Sequence, residues 1–264
     1  MKKFLISSLI GLLLSSAAIA DTDGENSLSK RNSGKVKDCF EGFNRATFSL
    51  NQNLDAVIFK PIAKGYRSLP SPIRGGTSNV LNNLSSLVTI PNNVLQGELK
   101  KAGVNTARFI VNTTIGVFGI FNVAQKMGFT EYEKEDYGQT LGTMGVGAGC
   151  YLVLPILGPS TVRDTAGSFI NVLGGDPWYN ASAGGNNHYL NDSDYITAKV
   201  LTGIDFRAKN IDSFKNLEKN SMDFYASVKS LYLQDRQQKI MNTKSKANIE
   251  IIYDDGDWEE IESK

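Results

Sequence analysis

The chain reads as mostly α. Apolar residues recur at helical spacing over several long stretches. Clear two-residue alternation is scarce, and helix-start signals such as Ser71-Pro72 stand where the periodic stretches begin. At 264 residues the chain is long enough for one domain with a sizeable core.

Residues 1–20 form a signal peptide. Lys2 and Lys3 make its basic start, Phe4 to Leu14 its apolar core, and Ala18-Ile19-Ala20 its cleavage site. No cysteine lies beside that site, so the sequence predicts export without an acyl anchor. Export implies an oxidising compartment, most simply a bacterial periplasm. Residues 21–37 are polar and read as a flexible linker. Order is expected from Asp38, which forms a candidate capping box with Glu41. Phe43, Thr47, Leu50, Leu54, Val57 and Ile58 then recur on one face of a helix that Lys60-Pro61 bends or ends.

A second helix starts at Ser71-Pro72, with Ile73, Thr77, Val80, Leu81, Leu84 and Val88 in register, until Pro91 interrupts it. Glu98 to Ile115 gives a third, and Gly116 to Phe121 is apolar but glycine-interrupted. Ser160 is placed as the cap of a short helix carrying Arg163 and Asp164. Gly174 to Asn187 reads as loop, and Asp192 to Leu217 and Met222 to Ile240 as two longer helices. Residues 241–264, rich in Asp and Glu, read as a solvated acidic tail. Helices studded with Asn79, Asn82, Asn83, Asn92, Asn93, Asn105, Asn112 and Asn122 are unfit to span hydrocarbon. Two placements stay open: helices lying flat in a membrane interface, or a soluble helical domain with polar outer faces.

The stretch from Tyr137 to Asp164 is the most distinctive. Its glycines, Gly145, Gly147 and Gly149 among them, precede an abruptly apolar run from Tyr151 to Leu157. That run is too short to cross a bilayer, and Pro155 breaks it. It suits either a hairpin against lipid or a hydrophobic wall, or a buried loop with a core strand. On the first reading Leu152, Val153, Leu154, Ile156 and Leu157 face lipid or a channel wall, and the three glycines permit the turn.

Catalytic chemistry is hard to find. The single histidine, His188, lies in a glycine and asparagine loop, so no histidine metal cluster can be drawn from this chain. Nucleophile-elbow, HExxH and P-loop motifs are absent. Gly145-Val146-Gly147-Ala148-Gly149 lacks the spacing of a dinucleotide loop and leads into an apolar run, and Glu133 and Glu135 read as a charged turn. A formal net charge of +1 leaves no footprint for nucleic acid. No cofactor and no metal are expected.

A series of ordered motifs resembles the MlaA/VacJ family. They are Glu41-Gly42-Phe43-Asn44-Arg45, Lys60-Pro61-Ile62-Ala63, Pro72-Ile73-Arg74 with Ser78-Asn79, Leu95-Gln96-Gly97, Arg108-Phe109, Phe118-Gly119, Gly138-Gln139-Thr140-Leu141-Gly142, Tyr151–Leu157 and Val162-Arg163-Asp164. Gly203-Ile204-Asp205, Arg207-Ala208 and Tyr232 with Arg236 continue the series, so the resemblance covers residues 38–240. It implies a ring-like arrangement of amphipathic helices in the inner leaflet of the outer membrane, with a glycine-rich hairpin beside an amphipathic channel. It also implies passage of misplaced phospholipids to a periplasmic carrier of the MlaC type, association with a trimeric porin, and no enzyme activity. Gly145, Gly147, Gly149, Tyr151, Leu152, Leu154, Pro155 and Leu157 are then the lipid-path and hairpin candidates. The rival reading is a soluble periplasmic binding or structural module without a lipid path. A lipid-modifying enzyme is a more distant third.

The sequence departs from the family's pattern at both of its cysteines. Cys39 and Cys150 each stand where the family motif usually has proline. In an exported chain with no other cysteine, a Cys39–Cys150 disulfide is expected. Two separate buried thiols are the alternative.

Overall fold

The computed structural model describes residues 36–182 and 192–241. The signal peptide, nearly all of the linker, His188 and the acidic tail from 242 onward lie outside the described residues.

Helix α1 (Glu41–Leu54) runs through a π turn (Asp55–Phe59) into α2 (Lys60–Arg67). Pro61 therefore does not end the helix. A proline ring clashes with the carbonyl four residues earlier, and the wider π turn lies where that carbonyl, Val57, sits. The capping box is also not formed. Phe40 is the cap without a side-chain bond, and Asp38 binds elsewhere.

Helix α3 (Ser71–Leu95) starts with Pro70 at the cap position and runs through Pro91. The expected interruption there does not occur. The same stretch is braced from within: Ser85, Thr89 and Asn92 each bond the carbonyl four residues back. Helix α4 (Leu99–Thr114) packs along α3. A tight turn over 115–121 leads to the single-turn α5 (Val123–Lys126) and then α6 (Tyr137–Thr143).

The only strands among the described residues are β1 (Tyr151–Leu154) and β2 (Gly158–Thr161), paired antiparallel with Tyr151 opposite Thr161 and Leu154 opposite Gly158. Helix α7 (Val162–Ile170) follows at once. Its cap is Thr161, one residue later than expected, whose hydroxyl accepts from the Asp164 amide at 3.1 Å. A π turn (Asn171–Gly175) and α8 (Pro177–Ser182) occupy part of the expected loop. Helices α9 (Asp192–Lys209), α10 (Ile211–Asn220) and α11 (Phe224–Ile240) complete the described residues, so the expected helix from Asp192 to Leu217 is two helices, broken at Asn210.

Packing between neighbours closes on itself. Helix α1 meets β1, β2 meets α11, α11 meets α6, α6 meets α3, α3 meets α9, and α9 meets α2, which rejoins α1. The fold is thus a mostly α circuit interrupted by one two-stranded hairpin, in agreement with the expected class.

Two small apolar clusters sit on this circuit. One joins Ala63, Ala208 and Ile211 where α2 meets α9. The other joins Tyr151, Val153 and Tyr225 between β1 and α11. Burial of a side chain such as Val153 contributes about 1.5–3 kcal/mol. The remaining interior is polar: among the described residues, buried polar and charged side chains outnumber buried apolar ones.

Candidate functional site

The hairpin is fastened to α1 by side-chain amides. Asn44 donates to the Tyr151 carbonyl at 3.0 Å and accepts from the Val153 amide at 2.9 Å. One helical repeat on, Asn51 donates to the Leu154 carbonyl at 2.9 Å and accepts from the Ile156 amide at 2.7 Å. Asparagines seven residues apart lie on one helix face, so α1 presents carboxamides where a third strand would present peptide groups. The otherwise unpaired edge of β1 is covered without another strand. Asp38 accepts from Asn44 at 2.7 Å and also binds Tyr225 and Lys229. Burial raises the Asp38 pKa, but those donors outweigh it and hold the carboxyl below its ordinary range.

The expected disulfide is present. Cys39 and Cys150 are joined with Cα atoms 5.6 Å apart, tying the start of α1 to the residue before β1. The chain's two cysteines are both consumed in it.

The candidate residues of this stretch divide sharply. Tyr151 is fully buried and Val153 is 1% exposed, so both belong to the core and neither faces outward. This corrects the expectation for Val153 and takes Tyr151 off any lipid-facing surface. Leu152 and Leu154, on the other strand face, are half-buried. Pro155, Ile156 and Leu157 form the exposed tip, with Leu157 77% exposed. The chain reverses at this tip and not at the glycines. Gly145 and Gly149 have positive φ, 92° and 70°, and link α6 to β1. Gly147 does not need glycine's conformational range, and nothing crowds the place of its missing Cβ.

Beneath the hairpin lies an ionic network, buried at Arg163, Asp164 and Arg236 and partly open at Asp136. Arg236 on α11 donates to Asp136 at 2.6 and 2.9 Å and to Asp164 at 2.9 and 3.1 Å. Arg163 and the Tyr232 hydroxyl also donate to Asp164, at 2.9 and 2.6 Å. Burial pushes the Asp136 pKa up, but the Arg236 bonds more than offset this and bring it to about 2. Burial likewise raises Asp164, and the Arg236 charge draws it below its ordinary value. The helices carrying these acids cross closely: a Cβ on Gly138 would stand 2.7 Å from both Asp164 Oδ1 and Arg236.

The space between α3 and α4 is also polar. Asn83, Asn92, Asn93, Asn105, Arg108 and Asn112 are buried there. Asn105 donates to Asn93 at 2.8 Å, and Gln96 donates to Glu135 at 3.1 Å and Thr140 at 3.0 Å. Burial raises the Glu135 pKa despite that bond. The turn over 115–121 rests on this array. Asn79 donates to the Ile120 carbonyl at 2.9 Å. Gly119, at φ 91°, sits where a Cβ would be 2.7 Å from Asn83. Val117 and Phe118 also take positive φ, 52° and 54°, an uncommon conformation that is strained for β-branched valine. Phe118 is 77% exposed.

The described residues thus combine a largely polar interior with many large apolar side chains at the surface. Phe43, Leu50 and Val57 form an exposed stripe on the first helical run, while Asn44 and Thr47, which flank that stripe, are buried, so Thr47 does not share the exposure of the face expected for it. Ile110, Ile115, Phe121, Phe169, Leu173 and Phe206 are exposed as well. Polar outer faces, one of the two placements the periodicity left open, hold along α10, where Asp212, Lys215, Asn216, Glu218 and Lys219 are exposed, while the first helical run exposes Phe43, Leu50 and Val57. No described helix is long and apolar enough to cross a membrane. Among the described residues no group of three or more His, Cys, Asp or Glu is arranged to hold a metal. Sequence reading missed the strapping roles of Asn44 and Asn51 and the prominence of Val117 and Phe118. The seven-residue spacing of the two asparagines was the available signal.

The chain matches the family model described as MlaA lipoprotein over residues 36–239. It is 30% identical over 242 residues to the intermembrane phospholipid transport system lipoprotein MlaA of Haemophilus influenzae, covering 90% of this chain and 93% of that one. It is 34% identical over 229 residues to the protein of the same name from Escherichia coli (strain K12), covering 83% and 86%. A solved structure described as the structural basis for maintenance of bacterial outer membrane lipid asymmetry superposes with a TM-score of 0.67 at 33% identity. It covers 77% of this chain and 99% of that one. The chain belongs to the MlaA lipoprotein family.

Proposed function

We propose that this protein removes misplaced phospholipids from the outer leaflet of the outer membrane through an amphipathic path bounded by its own helices. It hands them to a periplasmic carrier of the MlaC type, maintaining lipid asymmetry beside a trimeric porin. The polar interior beneath many exposed apolar side chains is the observation that carries this reading. Asparagines and ion pairs turned inward and Phe, Leu, Ile and Val turned outward suit a protein with hydrocarbon around it and a wet, polar passage within. The printed names of the relatives, which concern intermembrane phospholipid transport, support the same assignment.

Movement of lipid down a gradient breaks no bond, so the protein needs no catalyst and acts without enzyme chemistry. Leu152, Leu154, Pro155 and Leu157 contact lipid at the hairpin, and Gly145 and Gly149 allow the link behind it to flex. Relatives are named lipoproteins. Here both cysteines are spent in the disulfide, and the apolar exterior supplies the hold on the outer membrane from its periplasmic-leaflet side.

The test is complementation of a bacterium lacking its own family member. The full chain is expected to fractionate with outer membranes and to lower the outer-leaflet phospholipid accessible to an added phospholipase. Recovery in the soluble periplasmic fraction, with outer-leaflet phospholipid unchanged, would favour the soluble module and contradict this function.

A further inference from the structure

Several cations of the described residues pair with acids. Lys199 bonds Asp176 at 3.1 Å, Lys209 bonds Asp205 at 2.6 Å, and Arg108 lies 3.4 Å from Glu131. Lys134 stands apart. Its ammonium donates to Asn82 Oδ1 at 2.7 Å and Ser85 Oγ at 3.3 Å, both neutral and both on α3. No ion pair forms to it among the described residues. An ammonium carries three donors, so one is left over. Partial desolvation lowers its pKa, and the charge of Lys209 adds to the effect, against opposing contributions from Asp205 and Glu131. The side chain keeps an exposed face, and with both of its bonded partners neutral its remaining donor is open to an anion.

Two cavities flank the same helix. One, of about 50 Å³, is polar and lined by Asn79, Asn83, Arg108, Tyr132 and Lys134 among others. That is more room than a single water needs. The other is an apolar groove of about 350 Å³ lined by Pro72, Ile73, Val80, Leu81, Ile120 and Leu201 among others. Consecutive residues of α3 divide between them: Asn79, Asn82 and Asn83 face the first, and Val80 and Leu81 the second. Ile120 joins the two, since it lines the groove while its carbonyl accepts from Asn79. Lys134 and Arg108 line the polar pocket against one acid, Glu131, so it carries an excess of positive charge beside the apolar groove, which fits an amphiphile with an anionic head.

We infer that the pocket at Lys134 and Arg108 binds the phosphate of a phospholipid headgroup, with an acyl chain lying along the groove of Ile73, Val80, Leu81, Ile120 and Leu201. This rests on the transport reading above and assigns its headgroup subsite. Inorganic phosphate offers the same chemistry, so the test separates the two sources.

The full chain is purified in a non-ionic detergent, and binding of dihexanoyl phosphatidylglycerol, dihexanoylglycerol and inorganic phosphate is measured by calorimetry. Lys134→Gln is expected to weaken the phosphatidyl lipid about tenfold or more, the effect of losing one charge-assisted bond. It leaves dihexanoylglycerol, which has no phosphate, unchanged, and Lys134→Arg retains most of the affinity. Asn82→Asp, which sets a carboxylate against Lys134 without removing it, gives the same loss and guards against misfolding of Lys134→Gln. Displacement of the lipid by millimolar inorganic phosphate, in wild type only, supports a site that also takes the free anion. Loss in the variants without such displacement supports a site for the lipid headgroup. Equal affinity of wild type and both charge variants for the phosphatidyl lipid overturns the inference, as does an equal loss for dihexanoylglycerol. In complementation, restored asymmetry with no lipid-affinity difference at Lys134 rejects the subsite and keeps transport. Failure of the wild-type chain to restore asymmetry rejects transport itself.

Discussion

The hairpin tip and the turn over 115–121 are two solutions to one problem. Each presents large apolar side chains outward, Ile156 and Leu157 in one and Val117 and Phe118 in the other. Each places non-glycine residues at positive φ. Each is strapped by asparagine from a neighbouring helix, Asn44 and Asn51 on α1 or Asn79 on α3, where Asn83 packs closely against Gly119. They differ in their roots. The hairpin stands on buried Tyr151 and Val153, a disulfide and the Asp38 cluster. The turn stands on an Asn-rich floor with Arg108 among the amides and no disulfide, with Asn83 bonded to Thr113 at 2.8 Å. When backbone groups are satisfied by carboxamides, the side chains of a turn are free to face an apolar medium. How firmly such a turn is held is then set separately, by what lies under it.

The disulfide gives the largest test of that difference. Its cysteines are separated by 111 positions, for which the chain-entropy relation gives at most about 4–5 kcal/mol. Replacing both cysteines with serine is expected to lower the denaturant midpoint and speed hydrogen exchange at the Tyr151 and Val153 amides, leaving the Ile120 amide unaffected. Equal acceleration at both turns would break the comparison. Next come the straps themselves. Asn44→Ala orphans a buried carbonyl and a buried amide, and denaturation is expected to show a loss of about 2–4 kcal/mol. Asn79→Ala removes one bond at a half-buried site, for about 1 kcal/mol or less. A cost for Asn79 as large as for Asn44 would put the two roots on the same footing.

The tips are expected to respond alike where the roots do not. Leu157→Asp and Phe118→Asp should each change stability by no more than about 0.5 kcal/mol, being exposed. Both should weaken association with phospholipid vesicles severalfold or more in flotation assays, since a carboxylate resists transfer into an apolar phase. Unfolding instead of release from vesicles would identify them as core. Acid should sharpen the contrast with the smallest effect. Asp38, Asp136 and Asp164 all have native pKa values below their ordinary 3.8, with Asp136 at about 2. Their stabilisation is complete above the ordinary carboxylate range and is lost as pH falls through the lowered native values. Between pH 4 and pH 2 the hairpin amides should therefore lose protection before those of the 115–121 turn. Simultaneous loss would place the acids under both.

Much of the architecture was legible in the sequence because helical periodicity and the glycine-to-apolar transition are local signals. The direction in which each helix faces was not. Phe43, Leu50 and Val57 mark an apolar face whether it packs on protein or on lipid, so periodicity cannot tell inward from outward. The asparagines carried that information, since Asn92 and Asn93 are fully buried, but an amide in sequence reads equally as surface or interior. A bend or end at Pro61 and an interruption at Pro91 are what periodicity suggests, because a π turn and side-chain bracing depend on neighbours that it does not register. The hairpin was found through Tyr151–Leu157, while the turn at Val117 was passed over because its strain and exposure arise from tertiary contacts with Asn79 and Asn83. Cys39 and Cys150 were paired by elimination in an exported chain, and the structure joins them. Which of Tyr151–Leu157 point outward required the strand register, which buries Tyr151 and Val153 and leaves the tip free.

On the transport proposal, both tips lie against lipid while the roots do not. Photo-crosslinking in cells tests it directly, with a benzophenone amino acid placed in turn at Phe118, Leu157 and, as the buried control, Val153. Phospholipid adducts are expected at positions 118 and 157 and not at 153. Absence of lipid adducts at both tips, or adducts only to protein there, would contradict the account.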